Sequence, residues 1–126
     1  MSESKFYICK HCGNQIGMIK DTGVPVICCG EPMHHLEANT TEAAFEKHIP
    51  DVKIDGETFC VSVGSVDHPM LPGHYIEWVY LQTDKGGQRI ALNPGDAPKA
   101  VFALCGAKAI AVYAYCKLHG LWKKDL

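Results

Sequence analysis

Four histidines and one cysteine, spread over the last two thirds of the chain, set the strongest constraint on its fold. They are His48 in Glu46-Lys47-His48-Ile49-Pro50, His68 in His68-Pro69-Met70, His74 in Gly73-His74-Tyr75, and Cys116 with His119 in Cys116-Lys117-Leu118-His119-Gly120. A structural zinc site closes at four ligands, so a five-ligand set of this mix is not one. Five such ligands leave one octahedral position free, an arrangement that suits redox-active iron better than scaffolding. Any one of these histidines alone reads as surface or satisfied core. Together with the Cys-x-x-His pair they read as ligands.

The amino-terminal third carries a second group. Cys9-Lys10-His11-Cys12 is followed by Cys28-Cys29. Four thiolates in a short segment satisfy a tetrahedral zinc or iron site. Neighbouring side chains on an extended strand point to opposite faces, so two adjacent ligands demand a turn. Gly13 and Gly30 follow each half and let the backbone curl around the sulfurs. His11, His34 and His35 carry no motif and stay outside both sites.

With 126 residues the chain fits one or two small domains. A segment under about 40 residues needs a metal or disulfides to stay folded. The formal charge of -2 and the lack of a basic block argue against nucleic acid as a partner. No stretch reads as a signal peptide or a membrane span, so the expected location is the cytoplasm. Seven cysteines in a reducing compartment read as metal ligands more readily than as disulfides. Five belong to the two sites. Cys60 and Cys105 lie in apolar, strand-like stretches and read as buried free thiols.

The expected organisation is all-β, with a small domain over residues 1–37 and a larger one over 38–126. In the first, residues 6–8, 15–20 and 24–27 read as strands, with a turn at Asp21-Thr22-Gly23. A helical turn is expected over 41–47, capped by Thr41 and formed by Ala43, Ala44 and Phe45. Pro50 stops it, which puts His48 on a loop. Residues 59–63, 75–83, 88–92, 100–105 and 108–115 read as strands of a sandwich, with a turn at Lys85-Gly86-Gly87. The alanines of 108–115 keep a helix open there, but Val112-Tyr113-Ala114-Tyr115 favours a strand. Trp78, Trp122 and Tyr115 read as packing.

The two ligand groups, in this order, resemble desulfoferrodoxin, the two-iron form of superoxide reductase. Cys9, Cys12, Cys28 and Cys29 are similar to a desulforedoxin-type FeS4 domain. Glu46 to Pro50, His68 to Met70, His74 to Trp78 and Cys116 to Gly120 are similar to the neelaredoxin-type catalytic domain. The resemblance implies an immunoglobulin-like seven-stranded sandwich and two iron ions per chain. It also implies a square-pyramidal iron with His48, His68, His74 and His119 equatorial and Cys116 axial. It further implies one-electron reduction of superoxide to hydrogen peroxide, a rubredoxin-like electron donor and a homodimer. The family pattern supports Lys47 as the residue that attracts the anion and helps deliver protons. It supports Glu46 as a carboxylate that fills the open iron position when no substrate is bound.

Two residues depart from that pattern. Lys117 stands where asparagine is common, and Ala114 where glutamate is common. Both bear on tuning of the sulfur, and neither removes a ligand. Other classes stay open on residues alone: a two-centre electron carrier, a zinc-stabilised binding module, or a dismutase. The FeS4 centre reads equally as an electron relay or as structure.

Overall fold

The computed structural model describes residues 3–41, 43 and 45–126. The chain divides into two compact units, Met1–Glu37 and Ala38–Leu126. No helix among the described residues is long and apolar enough to cross a membrane.

The first unit contains strands β1 (Phe6–Ile8), β2 (Gln15–Gly17), β3 (Ile27–Cys28), β4 (Glu31–Pro32) and β5 (His34–His35). β1 lies between β2 and β5, and β3 pairs with β4. Only Phe6 and Cys9 are buried apolar side chains among its described residues. Ile19 and Val24 are fully or largely exposed. A core this small cannot offset the chain entropy of the unit, so ligand binding must supply much of its stability. The strand expected over 24–27 is confined to Ile27–Cys28, and the one over 15–20 ends at Gly17. The turn at 21–23 is present, closed by the Asp21 carboxylate accepting from the Gly23 N–H at 2.8 Å.

The second unit begins with helix α1 (Phe45–His48). Seven strands follow: β6 (Pro50–Asp55), β7 (Thr58–Val63), β8 (Ile76–Thr83), β9 (Gly86–Ala91), β10 (Lys99–Ala103), β11 (Ala109–Cys116) and β12 (Gly120–Asp125). They form two antiparallel sheets, β10-β7-β6 and β12-β11-β8-β9. Alternation puts Phe59, Val61 and Val63 of β7 and Ala100 and Phe102 of β10 inward. They share one core with Leu81, Val112, Ala114 and Trp122. β11 is buried on both faces, because Tyr113 and Tyr115 are covered by Tyr80 and Trp78 of the neighbouring strand. The all-β reading and the seven-stranded sandwich hold, and 109–116 is strand, not helix.

Several details differ from expectation. His48 is the last residue of α1, not a loop residue, and it is buried. The helix begins at Phe45, four residues after the expected cap; Ala44 lies outside the described residues. β6 and β12 were not expected. The β8–β9 turn is Asp84-Lys85, with Gly86 already paired to Thr83. Cys105 is exposed in a turn with φ of 50°, past the end of β10, and Cys60 is half-buried.

Candidate metal centres

The second unit brings its ligand candidates to one end of the sandwich. His48 closes α1, His68 follows β7, His74 precedes β8, Cys116 ends β11, and His119 sits in the turn to β12. The antiparallel pairing of Cys116 with Ile76 places the end of β11 beside the start of β8. His48 Nε2 lies 3.0 Å from His68 Nε2 and 3.1 Å from His119 Nδ1. Bonds of about 2.1 Å at right angles set adjacent nitrogens about 3.0 Å apart, so these spacings fit corners of one coordination square.

The rings complete that square. Neighbouring imidazoles in the order His48, His68, His74, His119 have centroids 4.6 to 5.0 Å apart and interplanar angles of 78 to 85°. His48 and His74 face each other across it at 6.4 Å. Cys116 Sγ stands 3.4 Å from His68 Nε2 and 4.0 Å from His119 Nδ1. The ligand atoms of His48, His68, His74 and Cys116 all fall within 4.8 Å of one another. His119 joins them through its contacts to His48 and Cys116.

The residues fit a metal on two further grounds. His74 Nε2 is buried and lacks a hydrogen-bond partner among the described residues. His68 Nδ1 contacts the Pro69 carbonyl at 2.6 Å, so this nitrogen carries the proton and Nε2 offers its lone pair inward. Burial pushes the His68 pKa down to about 4, although the Pro69 carbonyl opposes the shift; His48, His74 and His119 add to the fall. His74 is lowered first by burial, then by His119 and by the charge of Lys47. Buried imidazoles that resist protonation remain available as ligands. Burial likewise pushes the Cys116 thiol up, against the N–H groups of His119 and Leu118. A cation at the cluster reverses that balance and favours the thiolate.

Trp122 walls this cluster. Its ring lies 4.7 Å from that of His48 and 5.3 Å from that of Phe45, and it is fully buried. Its packing was legible in the sequence, but its place against a ligand ring was not. Lys47 is exposed, and Glu46 lines a surface groove with Phe45, Ile49 and Lys124.

In the first unit, the sulfurs of Cys9, Cys12, Cys28 and Cys29 all lie within 4.8 Å of one another. Cys12 Sγ is 3.6 Å from Cys28 Sγ. Metal–sulfur bonds of about 2.3 Å give a tetrahedron edge of about 3.8 Å, so the cluster fits a four-sulfur site. The adjacent pair is accommodated by a two-residue hairpin turn. Cys28 pairs with Glu31, and the intervening Cys29 and Gly30 have φ of 53° and 77°. Asn14 Nδ2 donates to Cys28 Sγ at 3.6 Å, a contact with no sequence signal. The Cys9 thiol is held down to about 6, chiefly by the Cys12 backbone N–H. Cys29 is pushed up to about 12, chiefly by the Cys12 side chain. His11 pairs with Glu31 at 2.9 Å on the surface, while His34 and His35 lie exposed on β5; none joins a cluster.

A family model described as Desulfoferrodoxin matches residues 40–125. The desulfoferrodoxin of Nitratidesulfovibrio vulgaris is 40% identical over 124 residues, which cover 98% of each chain. This chain belongs to the desulfoferrodoxin family. Among solved structures, the superoxide reductase from Treponema pallidum superposes with a TM-score of 0.83 at 39% identity. That match covers 98% of this chain and all of the other. The superoxide reductase of Giardia intestinalis, a 1Fe-SOR, is 30% identical with a TM-score of 0.55. It covers 64% of this chain and 97% of its own length. Each of the two clusters is a set of donors able to hold one metal ion.

Proposed function

We propose that this chain, an oxidoreductase acting on superoxide, reduces that anion to hydrogen peroxide at the histidine–cysteine cluster. In this reading His48, His68, His74, His119 and Cys116 hold one iron, and Cys9, Cys12, Cys28 and Cys29 hold the other. The observation that carries it is the square of four imidazoles with one thiolate beside it. Iron held there would supply the single electron that superoxide needs, and two protons would complete the peroxide.

The protein's own groups set the conditions. With iron bound, these five donors would leave room for the substrate. Cys116 would then hold the metal as a thiolate and supply it with electron density. Lys47 supplies the positive charge that draws the anion in, and orders a water that carries a proton. Its charge is felt at His74, one corner of the square. Glu46, its neighbour, would supply a carboxylate to the metal when no substrate is bound. A rubredoxin-like protein returns the electron. The proposed location is the cytoplasm, where a reducing environment keeps thiols available as ligands. A homodimer is the proposed assembly.

The test is stoichiometric. Superoxide is generated in the presence of the iron-loaded protein and a reductant, and peroxide and dioxygen are measured. One peroxide per superoxide with no dioxygen is the expected result. One peroxide and one dioxygen for every two superoxides would mean dismutation instead.

A further inference from the structure

Lys117, the residue after the candidate axial cysteine, reaches across the turn that carries His74. Its backbone N–H donates to the Tyr75 carbonyl at 3.0 Å. Its ammonium Nζ donates to the Pro72 carbonyl at 3.3 Å and stands 5.8 Å from the centre of the Tyr75 ring. Those two carbonyls flank His74, one on each side. The turn is otherwise closed by the mutual Leu71–His74 hydrogen bonds, each 2.9 Å. On the imidazole itself, Nε2 has no hydrogen-bond partner among the described residues to fix its aim. Beyond its ring contacts with His68 and His119, the aim of that imidazole depends on how its turn is held.

We infer that Lys117 is a positioning residue, which fixes the His74 turn against the strand end that carries Cys116. Main chain and side chain of one residue grip both shoulders of the turn, and that residue is covalently joined to another ligand. One corner of the square is thereby registered to the sulfur. The inference rests on the histidine–cysteine cluster binding a metal.

The test uses the full chain loaded with cobalt; the thiolate charge-transfer absorption that is missing from cobalt-loaded Cys116→Ser is the band that reports the histidine–cysteine cluster. Three proteins are compared: the parent, Lys117→Met, which keeps the stem and loses the donor, and Lys117→Arg, which restores a cationic donor. Excess chelator is added and decay of the band is followed. Loss of one exposed, charge-assisted hydrogen bond should speed release roughly two- to ten-fold in Lys117→Met. The band itself should move, because His74 re-aims. Lys117→Arg should bring both readouts back toward the parent. Should Lys117→Met fail to fold, Lys117→Gln takes its place and is read by the same two criteria. Parent-like release, an unmoved band or failure of arginine to rescue would each overturn the assignment. A parent whose charge-transfer absorption equals that of Cys116→Ser would instead defeat the metal-site reading beneath it.

Discussion

The carbonyl of Glu46 rests against the α-carbon of Gly64, so closely that a Cβ at Gly64 would overlap the oxygen and crowd the Lys47 carbonyl carbon as well. The same oxygen accepts from the Val66 N–H at 2.9 Å and from the Ser65 hydroxyl at 3.3 Å. The turn after β7 therefore seats the helix that carries Glu46, Lys47 and His48. That turn also leads to His68, whose N–H is bonded to Val63. Two ligand-bearing segments are thus locked together by one carbonyl.

Gly64→Ala should break that seat. Overpacking of this kind costs about 1–3 kcal/mol. The helix must move away, taking His48 with it, so metal retention should fall together with stability. Ser65→Ala removes only the longer of the two hydrogen bonds and should change both far less. Urea unfolding and metal analysis of the two variants measure the difference. Parent-like behaviour of Gly64→Ala would show that the seat is not rigid.

Cys116→Ser tests the thiolate. Cys116 is fully buried, and serine has nearly its size, so the fold should survive. The part of the thiolate-to-iron absorption that belongs to the histidine–cysteine cluster should vanish, while that of the four-sulfur cluster remains. Superoxide reduction should fall about a hundred-fold or more, since even changes outside the ligand set reach that size. Undiminished turnover in this variant would remove Cys116 from the iron.

The clusters were legible because ligand chemistry is written in residue types, and no packing detail is needed to see it. β7, β8 and β11 were legible for a similar reason: their alternating or β-branched and aromatic runs mark buried strands. β6 was not, because Asp51, Lys53 and Asp55 interrupt a strand whose outward face is solvated and whose pairing to β7 defines it. β12, with Lys123, Lys124 and Asp125, hid in the same way. The two-residue strands β4 and β5 exist through their partners alone, since so short a run has no period. Pro50 correctly marked where α1 stops, but its start depends on the seat at Gly64, which joins residues far apart in sequence. The expected strand over 100–105 overran the end of β10 at Ala103, because the apolar run continues into the turn at Cys105 and Gly106, whose φ values are 50° and 83°.

In the metal-free protein, His68, His74 and Cys116 together make the second unit most stable between about pH 6.5 and 9.0. Folded His68 has its pKa lowered from 6.5 to about 4, and His74 shifts in the same direction. Between these values the unfolded chain takes up a proton that the folded state refuses, so stability falls as pH drops. Cys116 is raised from 9.0 by burial. Above pH 9.0 the unfolded thiol ionises first, so stability falls again as pH rises. Urea midpoints of chelator-treated protein at pH values below, between and above these limits check the shape. A flat profile would contradict the burial of both groups.

Cys12→Ser should separate the two centres. It removes one corner of the four-sulfur cluster, and no residue of that cluster belongs to the other. The first unit should lose its metal and much of its order. The histidine–cysteine cluster should keep its iron and substantial superoxide reduction. Metal analysis and rate measurement on the same sample decide it. Complete loss of activity with that iron still bound would make the four-sulfur centre obligatory for turnover.

Lys47 should act through charge. It is exposed, and its charge already weighs on His74. Superoxide is a small anion, and one cation near its binding position speeds association, an effect that salt screens. Lys47→Ala should slow the second-order reaction roughly ten-fold, the low end of the steering range. The dependence of that rate on ionic strength should flatten as well. Lys47→Arg keeps the charge and should preserve both. Glu46→Ala should leave the bimolecular step nearly unchanged, because a group that fills the position between turnovers does not recruit the anion. It should alter the absorption of the resting ferric form instead. Pulse radiolysis of the three variants at low and high salt separates these roles. Equal rates for the parent and Lys47→Ala at low salt would leave His48 as the helix's only contribution to the reaction.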